Sequence, residues 1–171
     1  MNFTPKKMKN ITLFTILLIS LPLNAQNYFK AAGIRGGLSS GFTYRQYLEP
    51  DLAYEGLLSF RKGGIQLSIL RQRYQPALLH IGEDFFFAYG YGGHVGFTYT
   101  DSYKFIFREY SYSDNRFSPL IGMDGYLGLE YHFPMLPVQV GLDFKPFFEL
   151  SIFEFFQVSV WDVGFNIKYT F

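Results

Sequence analysis

Trp161-Asp162-Val163-Gly164-Phe165-Asn166-Ile167-Lys168-Tyr169-Thr170-Phe171 carries the clearest pattern in the chain. Trp161, Val163, Phe165, Ile167, Tyr169 and Phe171 fall in one phase, and Asp162, Gly164, Asn166, Lys168 and Thr170 in the other. Successive side chains of a strand point to opposite sides, so the segment reads as a ribbon with one apolar, aromatic face and one polar, small face. A transmembrane β-barrel requires this arrangement, because its outer face meets lipid and its inner face meets polar groups.

The opposite end supports the same reading. Lys6, Lys7 and Lys9 precede an apolar stretch from Ile11 to Leu23, and Leu23-Asn24-Ala25 before Gln26 gives a small residue at the expected cleavage position. Residues 1–25 are therefore expected to be a secretory signal peptide, and 26–171 a single domain. The stretch is shorter than the roughly 20 apolar residues that span hydrocarbon as a helix. The chain has no cysteine, which excludes disulfides and a lipid-modified cysteine. Lys+Arg number 15 and Asp+Glu 14, and without the three leader lysines the balance becomes acidic, so there is no basic excess for nucleic acid. Aromatic residues make up 21%, with 21 Phe, 14 Tyr and 17 Gly. Aromatics suit lipid interfaces, and glycines suit crowded inward positions.

The rest of the domain divides into about eight alternating segments. Ile34, Gly36 and Leu38 oppose Gly33, Arg35 and Gly37, and Ser39-Ser40-Gly41 reads as a turn. Phe42 and Tyr44 oppose Thr43 and Arg45, then Glu49-Pro50-Asp51 turns the chain. Tyr54, Gly56, Leu58 and Phe60 oppose Glu55, Leu57, Ser59 and Arg61, and Lys62-Gly63-Gly64 closes a hairpin. Ile65, Leu67 and Ile69 oppose Gln66, Ser68 and Leu70, before a connector over 75–84. In the fifth segment Phe87, Tyr89, Tyr91, Val95 and Phe97 alternate with Ala88, Gly90, Gly92, His94 and Gly96. A long tyrosine-rich loop is expected over 98–118. The sixth segment sets Ile121, Met123, Leu127 and Leu129 against Asp124, Tyr126, Gly128, Glu130 and His132. After Pro134-Met135-Leu136-Pro137, Val138, Val140, Leu142 and Phe144 oppose Gln139, Gly141, Asp143, Lys145 and Phe147. A second loop is expected over 150–158, leading to the final strand.

One face is apolar nearly throughout. The other collects Arg35, Arg45, Glu55, Arg61, Asp124, Glu130, Asp143, Lys145, Asp162 and Lys168, five cations and five anions. The expected fold is all-β: an up-and-down antiparallel transmembrane β-barrel of about eight strands. Such a barrel has an interior just filled by side chains, so the charges are expected to pair into a network that plugs the lumen. An even strand number puts both termini on one side, with the 98–118 and 150–158 loops on the other.

The domain resembles the small outer-membrane β-barrel proteins of Gram-negative bacteria, the OmpA/OmpX-like class, and within it uncharacterised small barrels. The resemblance rests on Gly36-Gly37-Leu38-Ser39-Ser40-Gly41, Glu55-Gly56-Leu57-Leu58 and Leu142-Asp143-Phe144-Lys145-Pro146, and on the alternating final strand ending in Phe171. It implies an outer-membrane location, contact with lipid bilayer and lipopolysaccharide, and a monomer. It also implies that Phe165, Ile167, Tyr169 and Phe171 form the signal read by the outer-membrane assembly machinery.

The residues carry no catalytic, cofactor or metal motif. His94 and His132 share the inward phase with Asp124 and Glu130, and a His beside a carboxylate could serve as a general base, but the simpler role is membership of the charge network. His80 is the third histidine. Gly90 to Gly93 lies in an alternating strand with no helix after it, which excludes a phosphate loop; small residues beside a crowded interior account for it. Tyr99, Tyr103, Tyr110 and Tyr112 with Phe105 and Phe107 offer a surface for an extracellular partner, or simply continue a strand pair above the membrane. The expected role is structural or interactive. The alternatives are a lipid-modifying outer-membrane enzyme and a narrow pore for small solutes.

Overall fold

A computed structural model describes residues 30–61, 63–76, 82, 84–105, 108–151, 157–159 and 162–171. The signal-peptide segment, Lys62, His80, Trp161 and much of the 75–84 connector and of the 150–158 loop lie outside these residues. The chain forms ten strand segments: β1 (Lys30–Gly37), β2 (Ser40–Glu49), β3 (Leu52–Arg61), β4 (Gly64–Pro76), β5 (Phe85–Phe105), β6 (Arg108–His132), β7 (Val138–Phe144), β8 (Phe147–Ser151), β9 (Gln157–Ser159) and β10 (Val163–Thr170). Every pairing is antiparallel. β1 through β6 pair in sequence order, β7 and β8 both pair with β6, β9 pairs with β8, and β10 pairs with both β7 and β1.

β7 and β8 are two halves of one ribbon, as are β9 and β10, so the ten segments make a closed eight-stranded up-and-down barrel. The break between β7 and β8 is at Lys145-Pro146, where proline has no N–H for the ladder. Hydrogen bonds flank it on both sides, from Gly125 N to Pro146 O at 2.8 Å and from Lys145 N to Asp162 O at 2.8 Å. Where the ends of the described chain meet, Phe171 N donates to Lys30 O at 2.9 Å and Lys30 N to Phe171 O at 3.2 Å. The β1–β10 and β5–β6 pairings close the sheet into a ring. Both ends of the described chain lie at one end of the barrel, with the facing ends of β2 and β3, β4 and β5, and β6 and β7; the facing ends of β1 and β2, β3 and β4, and β5 and β6 lie at the far end.

The barrel has reversed polarity. Ile34, Phe42, Leu58, Ile69, Tyr91, Val95, Ile121, Met123, Leu142 and Val163 point outward and are exposed. Arg35, Arg45, Glu55, Gln66, Gln72, Asp124, Glu130, Lys145, Asn166 and Lys168 point inward and are buried. The final strand alternates from buried Asp162 to exposed Phe171 without a break in phase apart from half-buried Tyr169. A small apolar cluster of Ala53, Leu70, Tyr74, Ala88 and Tyr126 also faces inward, with Tyr47 and Phe86 packed on it.

Several expected boundaries shift; Gly64, Gln75 and Pro76, for example, already pair with β5. The first turn is Leu38-Ser39 rather than Ser39-Ser40-Gly41, because Ser40 and Gly41 already pair with Phe60 and Ser59. Most of the segment expected as a loop over 98–118 is paired backbone: β5 and β6 pair from Phe85↔Tyr131 out to Phe105↔Arg108, with a register shift between Thr100 and Ser102. Its polar, aromatic composition suits a solvated hairpin as well as a loop. Leu150 and Ser151 belong to β8, and Gln157 and Val158 to β9, so the 150–158 loop is shorter than expected.

Gly92 and Gly164 show two distinct uses of glycine. A Cβ at Gly92 would collide with the Ile69 carbonyl on β4, so the glycine lets two backbones approach where the wall curves. A Cβ at Gly164 would lie 2.6 Å from the Arg35 guanidinium, so that glycine makes room for an inward cation.

Candidate functional site

The inward positions form one polar network with two centres. Near the chain ends the centre is Arg45 on β2, fully excluded from solvent. Its guanidinium donates to Glu55 on β3 through Nε at 3.0 Å and Nη2 at 2.6 Å. It donates to both oxygens of Glu130 on β6, each at 2.7 Å. A planar fork of fixed donors suits this bidentate grip on carboxylates. Thr43 donates to Glu55. Lys168 on β10 lies 3.3 Å from Glu55 and 3.6 Å from Glu130. The rings of Tyr74 and Tyr47 flank the guanidinium at 5.2 and 5.9 Å. Gln139 on β7 hydrogen-bonds to Tyr47 across the interior.

The second centre lies toward the far end. Arg35 on β1 donates to Asp143 on β7 at 2.9 Å and to Asp162 at 3.1 Å. Ser39 Oγ donates to the other Asp162 oxygen at 2.6 Å. Lys145, at the β7–β8 break, donates to Asp124 on β6 at 2.9 Å and lies 3.5 Å from Asp162. Arg61 on β3 reaches across the barrel to Glu149 on β8 at 2.7 Å. Phe147 lies inside among these cations, with the Arg61 guanidinium 4.6 Å and the Lys145 ammonium 4.9 Å from its ring centroid. Asn166 joins the two centres, donating to Asp143 at 2.9 Å and accepting from Lys168 at 3.1 Å.

All ten residues singled out from the alternation face this interior. Nine are buried and Arg61 is partly so. The alternation reading left out Glu149. Its phase continues that of Lys145 and Phe147, and it lies one inward position beyond the last residue assigned to the seventh segment. Ser39, Thr43, Tyr47, Gln139 and Asn166 also join the network, and uncharged polar residues carry a weaker signal than charges.

His94 belongs to the far centre, with Nδ1 2.9 Å from Asp124 and Nε2 3.3 Å from Glu149; the second contact is at ion-pair distance without hydrogen-bond alignment. A carboxylate therefore faces each ring nitrogen. His132 is half-buried, with Nε2 3.5 Å from Glu130. Among the described residues no group of three or more His, Asp or Glu side chains is arranged to hold a metal ion.

On the outer wall, Phe165, Ile167 and Phe171 are exposed, and the Tyr169 ring stacks on Phe171 with centroids 6.2 Å apart. β4 stops pairing with β5 at Thr98, and β8 with β6 at Leu120. Beyond those positions β5 and β6 continue as a two-stranded ribbon past their neighbours. No family model matches the chain, and neither a curated protein nor a solved structure matches it.

Proposed function

We propose that the protein is an integral outer-membrane β-barrel whose lumen is plugged by its own ion pairs, with a structural or surface-interaction role. The observation that carries this reading is the reversed polarity of the closed barrel, with an aromatic and aliphatic wall outside and ionised side chains inside. In water that wall would be a continuous apolar surface far larger than the few hundred Å² that soluble monomers expose. In a bilayer it is the favourable face, and a closed barrel is one of only two backbone solutions that satisfy every N–H and C=O in hydrocarbon.

The plug is supported by pairs that cross from opposing walls. Arg61 on β3 meets Glu149 on β8, Arg45 on β2 meets Glu130 on β6, and Lys168 on β10 meets Glu55 on β3. The leader expected at residues 1–25 and the Phe171-ending strand fit export and assembly into the outer membrane of a Gram-negative envelope. The ribbon that β5 and β6 extend past the wall is where an extracellular partner would dock.

Cell fractionation with heat-modifiable gel mobility tests the reading. The expected result is an outer-membrane fraction whose unheated band migrates apart from the boiled one. A soluble periplasmic protein with a single band would overturn it.

A further inference from the structure

We infer that the outer wall carries a site for one anionic glycerophospholipid on β3, β4 and β5, where Arg71 and Arg73 take the headgroup phosphate and Gly56 and Gly93 leave room for the acyl chains. The inference rests on the membrane reading. Leu70, Gln72 and Tyr74 on β4 are buried in the interior, so Arg71 and Arg73 share the outward phase of Ile65, Leu67 and Ile69. A strand rises about 3.3–3.4 Å per residue, which puts Arg71 about 7 Å along β4 from Ile69. The displacement is toward the barrel end where the ends of the described chain meet. A cation on the lipid face is destabilising to a degree that depends on its depth. A long side chain that reaches the headgroup level exchanges hydrocarbon for phosphate.

The neighbours of the two arginines fit a single lipid. Tyr54, Arg71 and Tyr91 form one row across the three strands, and Gly56, Ile69 and Gly93 form the next row toward the far end. The Arg71 guanidinium lies over the Tyr91 ring, 6.0 Å from its centroid, and its neighbours in charge or hydrogen bonding among the described residues are the neutral Tyr54 and Tyr91. Arg73 donates to Asp51 through Nη1 at 2.8 Å, but both side chains are open to solvent, so the pair is weak and the rest of the fork suits a phosphate. Ile69 is 60% exposed and stands as a ridge between two positions without a side chain. Backbone crowding does not account for glycine at 56. A Cβ there would meet nothing nearer than the Tyr44 carbonyl at 3.9 Å, whereas at the inward Gly92 it would collide with β4. At Gly93 the nearest atom is the Gly122 carbonyl at 3.1 Å, which asks only for a small shift. Two depressions beside two cations match a phosphate that bears two acyl chains, and the exposed Tyr54 and Tyr91 rings stand between them at the level where aromatic residues meet the interface.

The test is native mass spectrometry of the folded full chain released from detergent micelles that contain phosphatidylglycerol or, with the same acyl chains, phosphatidylcholine. The expected result is one phosphatidylglycerol retained per barrel in preference to phosphatidylcholine. Arg71→Gln and Arg73→Gln should each weaken that retention about fivefold. Lys30→Gln removes an exposed cation of β1 at the same end of the barrel and should leave retention unchanged. Gly56→Leu fills one depression without altering charge and should also weaken it. Equal retention of the two lipids, or unchanged retention in the arginine variants, would overturn the site. An equal loss in Lys30→Gln would overturn it too, since a diffuse attraction to the rim would then suffice. Unchanged retention in Gly56→Leu would refute the acyl-chain depressions, and that arm decides even if an arginine variant does not fold. Preference for lipid A over phosphatidylglycerol in the same assay would overturn the choice of lipid. A chain that forms no heat-modifiable barrel would fail the membrane reading instead, whereas a barrel without lipid preference fails this inference alone.

Discussion

Replacing Glu130 by alanine probes the interior at its most enclosed point. Arg45 is 0% exposed and Glu130 1%, so neither can turn to water when the other is lost. Glu130→Ala removes two guanidinium contacts of 2.7 Å and leaves Glu55 alone between Arg45 and Lys168. Breaking a buried pair by deleting one partner costs about 3–5 kcal/mol, against about 0–1 kcal/mol for an exposed pair. Reversible urea unfolding in lipid vesicles, followed by tryptophan fluorescence and heat-modifiable mobility, would measure it. We expect a loss of about 4 kcal/mol for Glu130→Ala. The double variant Glu130→Gln/Lys168→Gln restores a one-to-one pair of Arg45 with Glu55. Its cost should fall short of the sum of its single variants by about 1 kcal/mol or more, because the two positions share partners. A loss below about 1 kcal/mol for the alanine variant, the level of an exposed pair, would show that water reaches the site and refute the enclosed-pair reasoning. Strict additivity in the double variant would refute the shared network.

Ile69→Lys puts a charge on the outward face, where Ile69 is 60% exposed, and should cost about 2–4 kcal/mol near the bilayer midplane. Unfolding from vesicles checks this, and an effect within about 0.5 kcal/mol, as for an ordinary soluble surface, would contradict a lipid-facing wall. Deleting Phe171 should lower the amount of inserted barrel more than shortening the ribbon over 98–118, read by outer-membrane levels of both variants; equal insertion would remove the assembly-signal assignment. Planar-bilayer recordings should show little or no conductance, and a large steady current would replace the plugged lumen with a pore.

Strand phase was legible in the sequence because the barrel asks one simple question of each residue. Val163, Phe165 and Ile167 answer it against Asp162, Gly164 and Asn166 with no exception, and the structure places them on opposite faces. The hairpin ends were less legible. Ser40 and Gly41 have turn composition yet pair with β3, because the ladder continues wherever a partner strand is available. The pairing of charges could not be read at all. Arg61 and Glu149 are 88 positions apart and meet only because β3 and β8 stand on opposite walls. Periodicity along one strand says which face a residue takes, but nothing about which residue faces it across the interior. The extent of β5 and β6 escaped for a related reason: alternation marks a ribbon with two unlike faces, and a solvated ribbon has none.

The interior pairs also bear on why the chain adopts one register. Shifting a strand by one residue carries its whole inward set to the outer face. A slip of β2 would move Arg45 from Glu55 and Glu130 into the apolar wall, and a slip of β10 would do the same to Lys168. Each displaced cation would cost about 2–4 kcal/mol near the bilayer midplane, besides leaving its carboxylates unpaired inside. A slip of two residues keeps each face, and there an apolar wall would discriminate little, since Ile, Leu, Phe and Val would be nearly interchangeable toward lipid, whereas the ion pairs would still be broken. The network thus penalises slips of β2 and of β10 at the Arg45 centre. Lys145-Pro146 fits the same logic. The ladder can break there because Lys145 N and Pro146 O are bonded to Asp162 and Gly125, while the Lys145 ammonium, held by Asp124 and Asp162, fixes the position of the break.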